Sequence, residues 1–265
     1  MQNIDPIIFL TPIIVMAFSF GLPIYWRSRG RFTRHILIYS LLAYGIAIAL
    51  KIVLQEFTIG PFLSYVGENL PAIGLYYGLQ TVVFEVGLAY VFAYYAVSRK
   101  SFGRDDAVGY GLGLAMWENG VLISTPLLVN YVTYFIVLSS GGTAAQQLFD
   151  LLRIRSPSLF LAPSQLLPLI GYSILERISS LLVHLSWGYL CVLSAVSAKR
   201  SLFVAALPMG MIDFFVVYTS VIGVATFELT LFLIGLLCIG VAFWLGRRTP
   251  KEVPKTAAPP SIPLK

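Results

Sequence analysis

Charge is what this sequence has least of. Only 11% of its 265 residues are Asp, Glu, Lys or Arg, while 58% come from the hydrophobic set; a soluble domain carries about 25% charged residues. One globular core cannot use that apolar excess, so lipid is the natural solvent for it. Cysteine is nearly absent too. Cys191 and Cys238 both lie inside apolar runs, which excludes a disulfide framework and a thiolate zinc site. There is no internal repeat and no nucleotide-binding glycine motif. The first apolar run has no basic segment ahead of it and reads as a span rather than a cleaved leader. A formal charge of +6 would suggest nucleic acid in a soluble chain. Here the basic residues sit in short clusters between apolar runs, so they report topology and no nucleic-acid partner is expected.

What is present is a series of long apolar stretches. A helix needs about 20 apolar residues to cross the hydrocarbon core, and seven stretches qualify: 6–26, 35–55, 72–97, 106–126, 168–196, 201–221 and 225–246. The expected class is an all-α, polytopic, seven-span bundle in the cell membrane, with residues 1–248 as one transmembrane domain. The proline-bearing tail, 249–265, is expected to be disordered. Apolar sequence runs on from Ala107 to Leu138, too long for one span, and predicts an apolar loop or re-entrant piece beyond the fourth. Within the semi-polar stretch 139–164, residues 146–155 have the spacing of a short amphipathic helix on the membrane surface.

Basic residues set the orientation. Arg27, Arg29, Arg31 and Arg34 fill the first connection; Arg99, Lys100 and Arg104 the third; Lys199 and Arg200 the fifth. Arg247, Arg248, Lys251, Lys255 and Lys265 follow the last span, so 14 of the 18 Lys and Arg residues fall on one side of a seven-span chain. That side is expected to be cytoplasmic, with the amino terminus outside. Lys51 is placed at the outer end of the second span, and Glu56 and Glu68 in the outer loop after it.

Ionisable groups inside a span cost about 2.5–3.5 kcal/mol each on insertion scales. Away from span ends these are Glu85, Glu118, Glu176, Arg177, His184 and Asp213. At about 1.5 Å rise per residue, Glu118 and Asp213 lie roughly 18 Å, and Glu85 and His184 roughly 20 Å, from the basic end of their helices. Four helices thus place a polar side chain in one layer. Arg177 and His184 are seven residues apart and share a stripe with Ser173 and Ser180 that must face the bundle interior. Gly109 and Gly113 have the small-xxx-small spacing of a close helix contact. Each feature has a bland reading: the glycines as packing, the layer as an interhelical hydrogen-bond network, Glu85 as an isolated polar residue with no motif around it. His35, in the first basic loop, reads as solvated.

Gly111 to Glu118, then Glu176-Arg177 with His184, then Asp213-Phe214, in that order over about residues 105–220, resemble the YhfC-like membrane peptidases. That group shares a superfamily with the CAAX-prenyl proteases and the anterior-pharynx-defective subunit of γ-secretase. The family pattern carries His four residues before the Glu of its glycine motif and four before the final Asp; this chain has Leu114 and Met209 there. The resemblance implies a zinc-dependent intramembrane peptidase. Glu118, His184 and Asp213 would be metal ligands or catalytic groups, and Glu176 with Arg177 an orienting ion pair. With two imidazoles replaced, zinc is expected to be weak or absent, since hydrolytic zinc usually takes about three His or carboxylate ligands. Without metal, Glu118 would be general base on a water, with His184 or Asn119 stabilising the oxyanion.

Three functions are open at this point. One is a peptidase acting on a transmembrane or lipidated peptide, with a degenerate metal site in this member. Another is a non-catalytic scaffold for a second membrane protein, and the third a proton- or ion-coupled transporter, for which broken helices or an inverted repeat would argue. Topology is testable at once: cysteines placed at Arg29, Arg104 and Lys251 should be shielded from an impermeant thiol reagent in intact cells. Labelling of any of the three from outside overturns the orientation.

Overall fold

The computed structural model describes residues 4–250, all helical between short turns. Seven helices are long and apolar enough to cross a membrane: Pro6–Ser28, Arg34–Val66, Leu70–Ser98, Asp106–Ser140, Pro163–Ser197, Arg200–Ile222 and Val224–Arg247. They are numbered here as spans one to seven. A helix satisfies its own backbone, the condition for crossing lipid, and local sequence sets where several begin. Asp5 accepts from the Ile7 amide, Thr33 from Ile36 and Asn69 from Ala72, the usual side-chain caps. Gly67 and Gly223, at φ of 59° and 79°, turn the chain between spans two and three and between six and seven, where a Cβ would be strained. The tail expected to be disordered lies, from residue 251 on, outside the described residues.

Span five is the axis of the bundle, with 72% of its most apolar window buried against 33% or less in every other span. Span four meets it backbone to backbone. A Cβ added to Gly188 would lie 2.6 Å from Gly111 Cα, and one on Gly111 2.7 Å from Leu185 Cα. Gly113, two residues further along, faces span two instead, where a Cβ would sit 2.5 Å from Ser40 Oγ. Small residues thus let one helix touch two neighbours closely, which is how membrane helices associate without a hydrophobic drive between them. The basic clusters meet at one end: Arg104 donates to the carbonyls of Gly246, Thr249 and Pro250.

Two expectations change and a third is met. The second span runs eleven residues past residue 55, to Val66, so Lys51 is interior and Glu56 is helical. Span four forms one helical run to Ser140, where a loop or re-entrant piece was expected; with no buried residue over Thr125–Ser140, its apolar side chains need no loop to hide them. The amphipathic helix is present as Gly142–Arg155, with Ala145 and Leu152 buried. Leu152 joins a satellite core with Ile4, Ile8, Leu159, Leu166 and Ile170 at the end opposite the basic clusters.

Besides span one, which opens on a 3₁₀ turn at Pro6–Phe9, three spans are not α-helical throughout. Thr81–Val86 in span three and Met116–Ser124 in span four are π-helical, and Leu207–Tyr218 in span six is 3₁₀. π turns bond i to i+5 and 3₁₀ turns i to i+3, and both are rare except in short pieces, often at functional sites. Pro126 and Pro208, which lack an amide donor, stand just beyond one irregular stretch and at the start of another. Packing of Gly188 can be tested directly. Gly188→Ala should destabilise the protein by about 1–3 kcal/mol through overpacking against span four, read as a lower melting temperature in detergent. Gly240→Ala, whose Cβ would meet nothing within 4 Å, should not.

Candidate functional site

Each irregular stretch carries one carboxylate of the polar layer: Glu85 on the π turn of span three, Glu118 on that of span four, Asp213 on the 3₁₀ run of span six. With Lys51, Arg177 and His184 they line a cavity of about 490 Å³. Lys51 anchors one side. Its ammonium lies 2.6 Å from Glu85 Oε1 and 3.2 Å from Asp213 Oδ2, and donates to Thr81 Oγ1 at 2.9 Å. Thr81 in turn donates to Asp213. Arg177 anchors the other side, with Nη1 3.1 Å from Glu118 Oε1 and Nη2 on Glu176. Asn119, fully buried, accepts from Arg177 Nη1 and donates to the Arg177 carbonyl.

His184 stands between the two anchored carboxylates. Its Nδ1 is 2.9 Å from the Ser180 carbonyl, which only accepts, so Nδ1 carries the proton and the lone pair is left on Nε2. Nε2 is 2.8 Å from Glu118 Oε2 and 3.4 Å from Glu85 Oε2. Although Nε2 and Glu118 Oε2 are close, neither has an aligned hydrogen-bond partner and both are fully enclosed. The ring-nitrogen direction therefore misses the oxygen. Each Glu gives Oε1 to a cation and turns Oε2 toward the imidazole. Three lone-pair atoms from Glu85, Glu118 and His184 thus converge, all within 4.8 Å of one another. Trp187 and Tyr44 pack against the ring at centroid distances of 4.2 and 5.8 Å and fix its plane.

This donor set differs from the expected one. Asp213 lines the cavity but stands beyond Lys51, and Glu85, which had read as isolated, takes the third place. Asn119 has both ends of its amide engaged by Arg177 and is not on the cavity wall, so it positions Arg177 rather than facing an oxyanion. Leu114 and Met209 are core residues, 2% and 7% exposed, and neither lines the cavity. Four residues complete roughly one α turn, but less than a π turn and more than a 3₁₀ turn. Met209 to Asp213 lies within the 3₁₀ run, where four residues overshoot a turn by roughly a third, so that pair does not share a face. Leu114 stays on the face of Glu118, its Cδ1 3.1 Å from where a Cβ on Gly188 would stand, one turn of span five from His184.

Lys51 and Glu228 were missed as site residues. Lys51 rises roughly 26 Å along span two from Arg34, above the layer. Side chains on a helix lean toward its N-terminus, and that lean carries its ammonium down to Glu85. Glu228, 5% exposed in span seven, also lines the cavity; its nearness to the start of that span kept it out of the groups counted away from span ends.

A chelating pair of carboxylates around an imidazole, inside a seven-span helical bundle, defines a multi-pass integral membrane protein with an intramembrane site of metal-ligand chemistry. The match to known families is specific: residues 13–230 fit the model of the YhfC intramembrane metalloprotease family, and the chain belongs to that family. No curated protein and no solved structure matches it. The family implies a metal, and the residues fit one. Bonds of about 2.0–2.2 Å to a shared zinc place its ligand atoms roughly 3–4 Å apart, near the separations here. Nε2 and Glu118 Oε2, both enclosed and without an aligned hydrogen-bond partner, are free to ligate it.

Lys51 is the residue whose removal should be felt most. Lys51→Met leaves Glu85 and Asp213 without their cation, at about 3–5 kcal/mol for breaking a buried pair. Unfolding in detergent should show that loss, and adding Glu85→Gln with Asp213→Asn should recover part of it. Wild-type stability in Lys51→Met alone would mean that the ion pair does not hold the layer.

Proposed function

We propose that this chain is an intramembrane peptidase in which Glu85, Glu118 and His184 hold one divalent metal ion, zinc by family membership. The observation that carries the reading is the convergence of Nε2 and two Oε2 atoms with no donor between them. The expectation of weak or absent zinc rested on two missing imidazoles with Asp213 as third donor. Glu85 stands where that count had Asp213, and the set is again one imidazole with two carboxylates, three protein ligands with a position left open.

A bound ion there supplies Lewis acidity and an acidified water. The protein's own groups do the rest. The Ser180 carbonyl holds the tautomer of His184, and Lys51 and Arg177 hold the two ligating carboxylates with one oxygen free. Glu176 steadies the Arg177 guanidinium as its second anion. Asp213, whose side chain is 35% accessible where Glu85 is 7% and Glu118 16%, is the carboxylate placed to take a proton from water in the cavity. Ile48, Leu122, Val216 and Leu231 make the rest of the wall apolar, which suits a transmembrane or lipid-embedded peptide. In this reading the basic clusters lie in the cytoplasm and the cavity opens toward the opposite face.

Elemental analysis tests it. Protein purified without chelator should hold about one divalent ion per chain, lost in His184→Ala and in Glu85→Gln and kept in Asp213→Asn, while peptidase activity is lost in all three. A metal-free wild type would return the chain to the non-catalytic scaffold reading, with the γ-secretase subunit as the model. Metal retained in Glu85→Gln would remove Glu85 from the ligand set.

A further inference from the structure

Five carboxylates line the main cavity, those of Glu85, Glu118, Glu176, Asp213 and Glu228, against two permanent cations, Lys51 and Arg177. Among the described residues, Lys51 pairs with Glu85 and Asp213, and Arg177 with Glu118 and Glu176. Glu228 alone of the five makes no ion pair. It is 5% exposed, and its Oε2 is fully enclosed with no hydrogen-bond partner. A divalent ion at the three-donor point still leaves the cavity one negative charge in excess. A buried carboxylate in that position needs a cation or a proton, because desolvation without a partner costs several kcal/mol.

We propose that Glu228 is a subsite for a primary ammonium group of the substrate. Three features favour an organic ammonium over a second metal ion. Only one free carboxylate is present, whereas a divalent ion calls for several ligands. The walls beside it, Phe227 and Leu231, are apolar and suit an alkyl stem. The site is also offset from the metal-ligand group: Glu228 lies roughly 29 Å along span seven from its basic end, and His184 roughly 20 Å along span five. That axial difference of about 9 Å sets the ammonium of the substrate away from the bond that is cut. The ammonium belongs either to a lysine side chain or to a free amino terminus. Its assignment to a peptide substrate rests on the peptidase reading; the subsite itself does not.

Binding to the full-length protein in detergent, by calorimetry and thermal shift, tests the proposal without turnover. The probe is n-hexylammonium, with n-hexanol as its neutral counterpart. Wild type should bind the ammonium at least tenfold more tightly than the alcohol, and Glu228→Gln should lose that preference while keeping its metal content and melting temperature. His184→Ala, which empties the metal site in the proposed function, should still bind hexylammonium, so failure of one idea is separable from failure of the other. Nα-acetyl-lysine methylamide and leucine methylamide, as competitors, distinguish the side-chain ammonium from the terminal one. Equal affinity of wild type for hexylammonium and hexanol, or undiminished hexylammonium binding by Glu228→Gln, would overturn the subsite. The first of these comparisons stands even if the variant does not fold.

Discussion

A run of alternating charges through the middle of the bundle constrains everything else in this protein. From Asp213 through Lys51, Glu85, His184, Glu118 and Arg177 to Glu176, each group touches one of opposite sign or a shared imidazole, and the run joins spans two to six. In lipid no member can be left alone, because water is not there to solvate it. The helices must therefore be held at the spacing that keeps every contact. The glycine contacts of span four with spans two and five do that, since a fraction of an ångström at Gly188 or Gly113 would move Glu118 against His184. Packing and electrostatics act here as one constraint.

The same constraint accounts for the irregular helices. A regular α-helix presents side chains every 100° or so, and a cluster gathered from several helices rarely coincides with all those directions. Wide turns at Glu85 and Glu118 and a narrow helix at Asp213 re-aim three carboxylates without breaking a span. The narrow helix has a packing use as well: Gly210 lies against Val82 and Val86, the π stretch of span three. Two distorted segments fit each other, and the Lys51 pocket with Thr81 is formed where they meet.

Cations outside the donor group shape what the site can do. Lys51 and Arg177 do not approach His184; each takes one oxygen of a glutamate and leaves the other free. Carboxylates held in this way are oriented before any ion arrives, which is the role of the outer layer of groups around a metal site. Glu85 comes from the third span and is held in the group by its pairing with Lys51.

Sequence alone determined the membrane class, the seven spans and the polar layer. Those follow from local quantities: the length of apolar runs, the rise of a helix, and the cost of a charge in lipid. It also placed Glu118 and His184 at matching depth, and they are in contact at 2.8 Å. Depth along an axis is a one-dimensional property and can be counted. Which residues of the layer meet was decided only by the tertiary structure. Counting could not show that span two continues past residue 55, so Lys51 looked peripheral; Glu85 had no motif to mark it; and Glu228 sat too near the start of its span. Above all, azimuth around a helix depends on every turn before it, and one π or 3₁₀ turn rotates all later side chains. Met209 fell off the face of Asp213 for that reason, and the three possible donors that lie together are Glu85, Glu118 and His184.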